Sequence, residues 1–213
     1  MRIKICGLTT PEDARLAAEL GADALGFNFY PKSKRYLAPE KAQSIIRDLP
    51  PFVDPVALFV NEPVPQILHC VKSLPTVHTL QLHGDAIEPI ADSAYRFIPA
   101  FPVRDDRSLQ TILDYLSQCQ TQGRLPTAVL VDAHVPGEYG GTGQTAPWKL
   151  LAEFHPPVPL ILAGGLTPEN VAEAVRLVRP YAVDVASGVE SSPGRKDPDK
   201  MKQFIDNARK AVD

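Results

Sequence analysis

The sequence contains few cysteines, and their spacing excludes the usual cysteine-based sites. Cys6, Cys70 and Cys119 are odd in number and form no CxxC pair. A disulfide framework needs paired cysteines, and a structural zinc site needs closely spaced ligands, so neither class fits this chain. Reduced thiols are typical of the cytosol, and we therefore expect a cytoplasmic protein.

An excess of one charge and a long apolar segment are also missing. The chain has 22 Lys and Arg residues against 25 Asp and Glu residues, a formal net charge of −3, so electrostatics do not favour a nucleic-acid partner. No apolar run approaches the ~20 residues that span a bilayer. The first residues also lack the basic and apolar regions of a signal peptide. We expect neither a nucleic-acid partner nor a membrane segment.

What the chain does contain is a repeated alternation of short apolar runs and amphipathic segments. Several runs are apolar throughout, as in parallel strands that are covered on both faces. Helix-like segments lie between them, and the first has a start signal at Thr10-Pro11 and a stop signal at Gly21. The segments after His83 and after Trp148 are weaker helices. The strand-like runs are RIKIC, ADALGFNF, FVDPVALFV, HTLQL, YRFIPAF, TAVLVDA, VPLILAG and YAVDVAS.

Eight such strand–helix units in 213 residues predict an α/β fold, a (β/α)8 TIM barrel that forms a single domain over residues 1–213. A doubly wound open sheet is the alternative. The chain has neither a GxGxxG motif after its first strand nor a Walker motif, which disfavours the nucleotide-binding form of that sheet.

Polar residues and glycines recur where the apolar runs end. Barrel enzymes place their catalytic groups at the carboxyl ends of the strands. Loops also favour Gly, Asn and Asp without any function. Cys6 and Asp132, however, both end apolar strands, and together with the others they predict a site. The residues at strand ends are Cys6, Asn28, Asn61, His83, Asp132, Gly164-Gly165 and Ser187-Gly188.

Two glycine loops follow the last two predicted strands, the usual phosphate-binding position in such barrels. Gly164-Gly165 precedes a helix predicted to open at Thr167-Pro168, and Ser187-Gly188 lies in the loop before the last helix. Glycines let backbone N–H groups approach an anion, and a helix amino terminus adds a favourable dipole. Plain turn chemistry is the alternative.

Two further loops are candidates for substrate contact. Arg35, in FYPKSKRYL, has a side chain suited to a bidentate grip on a carboxylate, and a solvated basic loop with Lys32 and Lys34 is the alternative. The glycine-rich stretch from Gly137 to Thr145 is a candidate lid that shields a reaction from water. A disordered surface loop would have the same composition.

Five motifs occur in order along nearly the whole chain: KICG, SKRY, QLHG, YGGTG, and SGVE followed by PGRKD. In this combination they resemble the phosphoribosylanthranilate isomerase family of tryptophan biosynthesis. The resemblance implies a (β/α)8 barrel that converts N-(5-phosphoribosyl)anthranilate into 1-(2-carboxyphenylamino)-1-deoxyribulose 5-phosphate, an Amadori rearrangement without cofactor or metal. It implies this small molecule as the partner, and a chain that is either a monomer or a homodimer.

The resemblance also implies roles for individual residues. By motif, Asp132 corresponds to the family's general acid and Cys6 to its general base. We expect the site to lower the pKa of Cys6 from the ordinary ~8.5. Arg35 falls at the anthranilate carboxylate. Asp184 falls near the sugar hydroxyls, with a structural carboxylate inside the barrel as its alternative, and His83 lies near the substrate in no assigned role. The phosphate falls to Gly164, Gly165, Ser187 and Gly188.

Other functions remain as alternatives at this stage. A non-catalytic phosphate-binding barrel would keep the glycine loops, but it would not need both Cys6 and Asp132. Another barrel isomerase or epimerase would not need the KICG and SKRY motifs. A second activity on a histidine-pathway substrate is disfavoured, because the chain shows no clear two-fold repeat and no paired catalytic aspartates. The loop with His134 departs from the family pattern and puts lid closure in question.

Overall fold

The computed structural model describes residues 1–74, 76–133 and 146–212. Within them, eight parallel strands form a closed barrel in the order of the sequence, which confirms the predicted barrel and excludes the open sheet. Each strand overlaps one of the predicted apolar runs. The strands are β1 (Arg2–Cys6), β2 (Ala24–Asn28), β3 (Asp54–Val60), β4 (Thr79–His83), β5 (Arg96–Pro102), β6 (Val129–Asp132), β7 (Leu160–Ala163) and β8 (Ala182–Val185).

Helices cover the outside of the barrel and connect most strands. The first begins as predicted, because the Thr10 side chain accepts a hydrogen bond from the Asp13 N–H and Pro11 occupies the first turn. No helix connects β4 to β5 over residues 84–95, so the weak prediction after His83 is wrong. The helices are α1 (Pro11–Glu19), α2 (Pro39–Arg47), α3 (Val64–Val71), α4 (Asp106–Thr121), α5 (Ala146–Ala152), α6 (Val171–Val178) and α7 (Pro198–Lys210).

The helix after β7 begins later than the sequence predicts. It starts at Val171, not at Thr167-Pro168. The reason is local: the Asn170 side chain accepts a hydrogen bond from the Thr167 N–H at 2.8 Å and donates one to the Gly165 carbonyl at 2.9 Å. Asparagine side chains that bond nearby backbone compete with helix formation in this way, so a turn separates Gly165 from the helix.

The residues of β1 alternate between the two sides of the barrel wall. Ile3 and Ile5 are buried in the main hydrophobic core, to which α1 and α7 contribute, and Lys4 and Cys6 point into the barrel interior. A second, smaller apolar cluster fills the interior beside β5 to β8, and includes Leu130. The interior therefore has an apolar side and, next to β1 and β4, a side with buried polar groups.

A short hairpin after β8 is not evident from the sequence. A 3₁₀ turn at Ser187–Val189 leads into β9 (Glu190–Ser192), which pairs antiparallel with β10 (Arg195–Lys196) before α7 begins. This hairpin carries Glu190 and Lys196 to the carboxyl end of the barrel. The candidate lid, Gly137 to Thr145, and His134 lie outside the described residues.

None of the helices in the described part of the chain has both the length and the apolar character that membrane crossing requires.

Candidate active site

A cavity of about 470 Å³ opens at the carboxyl end of the barrel. Such a volume is ordinary for a small-molecule site. Every residue predicted for the site lines it, although the residues come from different strands and loops along the chain. They are Cys6, Arg35, His83, Asp132, Gly164, Gly165, Asp184, Ser187 and Gly188. Of the two other polar residues predicted at strand ends, Asn28 also lines this cavity, and Asn61 lines a neighbouring cavity instead.

Cys6 ends β1 and is 6% exposed. Gly26 on the next strand makes room for it: a Cβ at Gly26 would lie 2.7 Å from the Cys6 Sγ and 3.0 Å from the Lys4 Nζ. Burial raises the pKa of the Cys6 thiol, and the positive charges of Lys4 and Lys196 only partly oppose this effect. The expected lowering of this pKa is therefore wrong, because desolvation of the thiolate, together with the negative charge of Asp184, outweighs Lys4 and Lys196.

Lys4 and Asp184 form a buried ion pair below the cavity. The Lys4 Nζ donates a hydrogen bond to the Asp184 Oδ1 at 2.9 Å, and both side chains are less than a tenth exposed. The pair forms because β1 and β8 close the barrel with Lys4 directly beside Asp184. Burial would lower the pKa of Lys4, but the charge and hydrogen bond of Asp184, together with those of Cys6, outweigh it and the net shift is upward. Lys4 thus stays an ammonium group beside the Cys6 thiol.

Arg35 reaches the cavity from the loop after β2 and is held by a carboxylate. Its Nε and Nη2 donate to the two oxygens of Glu190, each at 2.7 Å. Hydrogen bonding to Glu190 raises the pKa of Arg35. The aliphatic part of Arg35 passes over Gly7, where a Cβ would collide with the Arg35 Cδ. Gly7 also has a φ of +74°, so glycine is needed there for two separate reasons.

His83 ends β4 and hydrogen-bonds within its own strand. Its Nε2 lies 2.8 Å from the Gln81 Nε2. Burial, with a further contribution from the charge of Lys4, lowers the pKa of His83, so the imidazole is neutral near pH 7. With the Gln81 amide as donor, the His83 Nε2 is the acceptor and the ring proton is on Nδ1. The buried Gln81 Oε1 has no hydrogen-bond partner among the described residues.

The two glycine loops pack against each other. Gly164 and Gly165 have φ values of +88° and +64°, which favour glycine at both positions. At Gly188 the reason is space, since a Cβ there would collide with the carbonyl of Leu166 in the other loop. The absence of side chains thus lets the two backbones meet at one edge of the cavity.

Comparison with known proteins agrees with this geometry. The family model described as N-(5'phosphoribosyl)anthranilate (PRA) isomerase matches residues 3–207. The chain belongs to this family. The N-(5'-phosphoribosyl)anthranilate isomerase of Trichlorobacter lovleyi is 49% identical over 218 residues that cover 100% of both chains. The family resemblance, the barrel and the assignment to an isomerase of tryptophan biosynthesis are confirmed.

Solved structures of phosphoribosylanthranilate isomerases superimpose on the whole barrel, each with 99% of both chains covered. That of Thermotoga maritima has a TM-score of 0.86 at 45% identity. A complex with reduced 1-(o-carboxyphenylamino)-1-deoxyribulose 5-phosphate has a TM-score of 0.81 at 41% identity. A third structure, of monomers generated from the dimeric T. maritima enzyme, has a TM-score of 0.80 at 39% identity.

Several polar residues around the site were missed from the sequence. Lys4, Glu190 and Lys196 lie in the KICG, SGVE and PGRKD motifs that carried the family resemblance, and Asn170 lies in TPENV. A charged residue at an inward position of a strand otherwise rich in isoleucine was the available signal for Lys4.

Within the described residues, no group of three or more His, Cys, Asp or Glu side chains is arranged to hold a metal ion.

Proposed function

We propose that this phosphoribosylanthranilate isomerase works by general acid/base catalysis, with Asp132 as the acid and Cys6 as the base. The observation that carries the proposal is that both side chains line one cavity together with Arg35 and both glycine loops. Asp132 gives a proton to the furanose ring oxygen as the ring bond to C1 breaks and a Schiff base forms. Cys6 then removes the proton from C2, and the resulting enolamine tautomerises to the ketone. The rearrangement is internal, since C2 is oxidised as C1 is reduced.

The protonation state of Cys6 is the main demand of this mechanism. The thiolate is the reactive form, and burial works against it. Lys4 is the ammonium group best placed to compensate, because it is fixed by Asp184 and lies beside the thiol. The charge of Lys196 also favours the thiolate. These two cations offset part of the cost of forming the thiolate away from water.

The substrate's two anionic groups find partners at different edges of the cavity. The N–H groups of Gly164, Gly165, Ser187 and Gly188 suit the phosphate, because no side chain blocks the approach of an anion to the backbone. Arg35 suits the carboxylate of the anthranilate ring. Phosphate and ring carboxylate would then hold the sugar across the middle of the cavity, between Cys6 and Asp132.

Three polar groups remain for the sugar. Asp184 uses its Oδ1 to accept from Lys4, which leaves its Oδ2 for a sugar hydroxyl, so the structural and substrate-binding roles are compatible. The buried Oε1 of Gln81 is suited to accept a hydrogen bond from a second sugar hydroxyl. His83, neutral and tied to Gln81, lies near the substrate and supports this arrangement rather than carrying charge.

We also infer a homodimer from the opposite end of the barrel. Phe52 is fully exposed there with a φ of +72°, at the edge of a cavity of about 410 Å³ that is lined by apolar side chains and by the Arg2–Asp23 and Arg96–Asp54 ion pairs. A projecting aromatic ring and a cavity on the same face suit a two-fold interface, in which the ring of each copy enters the cavity of the other. The dimeric T. maritima relative supports the inference.

A cytoplasmic location fits the three free cysteines.

The direct test is a fluorescence assay that follows the loss of phosphoribosylanthranilate with the purified chain. We expect turnover by the intact chain and by Cys119→Ser, which removes a buried thiol away from the cavity. We expect none above background from a Cys6→Ser/Asp132→Asn double variant. Absence of turnover by the intact chain, or normal turnover by the double variant, would refute the proposal.

A further inference from the structure

We propose that Glu190 is the positioning residue that aims the Arg35 guanidinium at the substrate carboxylate, and that Lys196 supplies the charge that makes this arrangement selective for an anion. The inference rests on the proposed function, because it concerns the group that Arg35 is to bind. Glu190 lies behind Arg35, with a side chain 5% exposed against 25% for Arg35.

The ion pair between Arg35 and Glu190 fixes the plane of the guanidinium. Two hydrogen bonds of 2.7 Å join Nε and Nη2 to the two oxygens of one carboxylate. A guanidinium has five N–H donors in a rigid fork, so this side-on pairing leaves the N–H groups of Nη1 to another acceptor. Arg35 lines the cavity, and its free edge is held towards the place where the carboxylate would bind.

Glu190 is itself held firmly enough to act as an anchor. Its Oε1 accepts hydrogen bonds from the Lys196 Nζ at 3.0 Å and from the Gly194 N–H at 3.3 Å. Its backbone carbonyl accepts from the Lys200 Nζ at 3.0 Å. Burial would raise the pKa of Glu190, but the hydrogen bonds from Arg35 and the charge of Lys196 lower it overall. Glu190 is therefore ionised near pH 7.

The charges of the cluster explain why Lys196 is needed. Arg35 and Glu190 alone would be neutral, and the carboxylate of a substrate would then approach a carboxylate of the protein without net attraction. The Lys196 side chain, fully buried and bonded to the same Glu190 oxygen as the Arg35 Nε, restores one net positive charge. One positive charge matches the one negative charge of the anthranilate carboxyl group. Lys196 is also fixed by the carbonyl of Ala186, 3.0 Å from its Nζ.

The test is the selectivity of binding between two product analogues measured by calorimetry, which does not depend on turnover. One is reduced 1-(o-carboxyphenylamino)-1-deoxyribulose 5-phosphate, and the other is its phenylamino counterpart without the carboxyl group. We expect the intact chain to bind the carboxylated analogue more tightly, and Glu190→Gln to reduce that preference about tenfold, at the lower end of the range for a hydrogen bond to a charged group. Binding of the analogue without the carboxylate should stay within about twofold.

Two further variants keep the test decisive. Asp54→Asn removes the carboxylate of another arginine pair, that of Arg96, and should leave the preference unchanged. Glu190→Gln/Lys196→Met removes the buried ammonium that Glu190→Gln leaves without its carboxylate, so it covers the case in which the single variant does not fold. The double variant also restores the single net charge, and we expect it to keep the reduced preference.

The outcomes separate this inference from the proposed function. The positioning role of Glu190 would be overturned if Glu190→Gln left the preference unchanged or bound the carboxylated analogue more tightly. It would also be overturned if the double variant regained the full preference of the intact chain. Failure of the intact chain to bind either analogue would instead refute the proposed function. Equal binding of both analogues by the intact chain would refute the carboxylate role of Arg35, and with it this inference.

Discussion

The two ends of the barrel contain the same kinds of residue and use them differently. At the amino end, Arg2 pairs with Asp23 at 2.6 Å and Arg96 with Asp54 at 3.3 Å, and the arginines are more than half exposed. Such pairs are screened by water and contribute little, about 0–1 kcal/mol each. Towards the carboxyl end, the pairs of Lys4 with Asp184 and of Arg35 with Glu190 are less exposed, and Asp184 and Arg35 line the cavity.

The difference shows that position along a strand decides what a charge can do. Arg2, Lys4 and Cys6 lie at alternate positions of β1, so all three are on the inward side of one strand. The Arg2 side chain is exposed to solvent, Lys4 pairs with a buried carboxylate, and Cys6 lines the cavity. The amino end has solvated ion pairs and an exposed aromatic ring, which suits the proposed interface between two copies. At the carboxyl end, buried charges lie beside the Cys6 thiol and at the proposed carboxylate site of Arg35.

The largest effect should follow from changing the acid or the base. General acid/base groups contribute about 10²–10⁴-fold, so Cys6→Ser and Asp132→Asn should each lower kcat by at least that range in the fluorescence assay. Binding of the product analogue should change little, since each group acts mainly in the transition state. Cys119→Ser, also at a buried thiol, is the control. Near-normal kcat in Cys6→Ser would make Cys6 a structural thiol.

The pH profile sharpens the same point. Because burial raises the pKa of Cys6, the thiolate fraction of the free enzyme increases only above the ordinary cysteine pKa of ~8.5. We therefore expect kcat/KM to rise with pH through and beyond that value, and to fall as the pH is lowered and the thiolate is protonated. Lys4→Met should move this limb to still higher pH. A limb that is unchanged in both Lys4→Met and Cys6→Ser would contradict the assignment of the base.

The next effect concerns the ring carboxylate. Arg35→Ala should weaken binding of the carboxylated analogue by about 1.5–3 kcal/mol, the range for hydrogen bonds to charged groups. The fold should survive, because Glu190 keeps its ion pair with Lys196. Lys32→Ala, at an exposed position of the same loop, should have a much smaller effect. Equal effects of the two changes on calorimetric binding would indicate a diffuse electrostatic role.

A smaller effect should separate the phosphate loops from ordinary turns. A side chain at a glycine with positive φ strains the backbone by about 1–3 kcal/mol, and at Gly165 it would also block an anion. Gly165→Val should therefore raise KM about tenfold or more. Gly123→Val is the matched control, because Gly123 has a φ of +66° in open space beyond α4. A KM that is the same for Gly165→Val as for Gly123→Val would remove the phosphate assignment.

The smallest effect on activity is expected at the amino end. Phe52→Asp should convert the proposed dimer into monomers in light-scattering measurements, because it replaces the apolar ring at the interface with a carboxylate that is costly to desolvate. The kcat should stay nearly unchanged, since Phe52 and the reacting groups are at opposite ends of the barrel. Leu125→Asp, at another exposed hydrophobic residue, should leave the mass unaltered. An intact chain that is already monomeric would refute the interface.

Local sequence patterns were enough to predict the barrel and the residues at its mouth. An apolar strand that stops at Cys6, and another that stops at Asp132, can be recognised without knowing what lies opposite. The start of α6 was misplaced because the Asn170 side chain stabilises a turn that the helix signals conceal. The direction of the Cys6 pKa shift was wrong for a related reason: the degree of burial of a thiol depends on every strand around it.

The sequence by itself determined the alternation of strands and helices, the polar strand ends and the positive-φ glycines Gly164 and Gly165, because each depends on neighbours within a few residues. Only the tertiary structure decided which charges meet. Lys4 and Asp184 are 180 positions apart and become partners because β1 pairs with β8 when the barrel closes. Arg35 and Glu190 are 155 positions apart and meet because the hairpin after β8 folds over the loop after β2. Electrostatic energy falls with distance in space, and distance in space between remote residues is a property of the closed barrel alone.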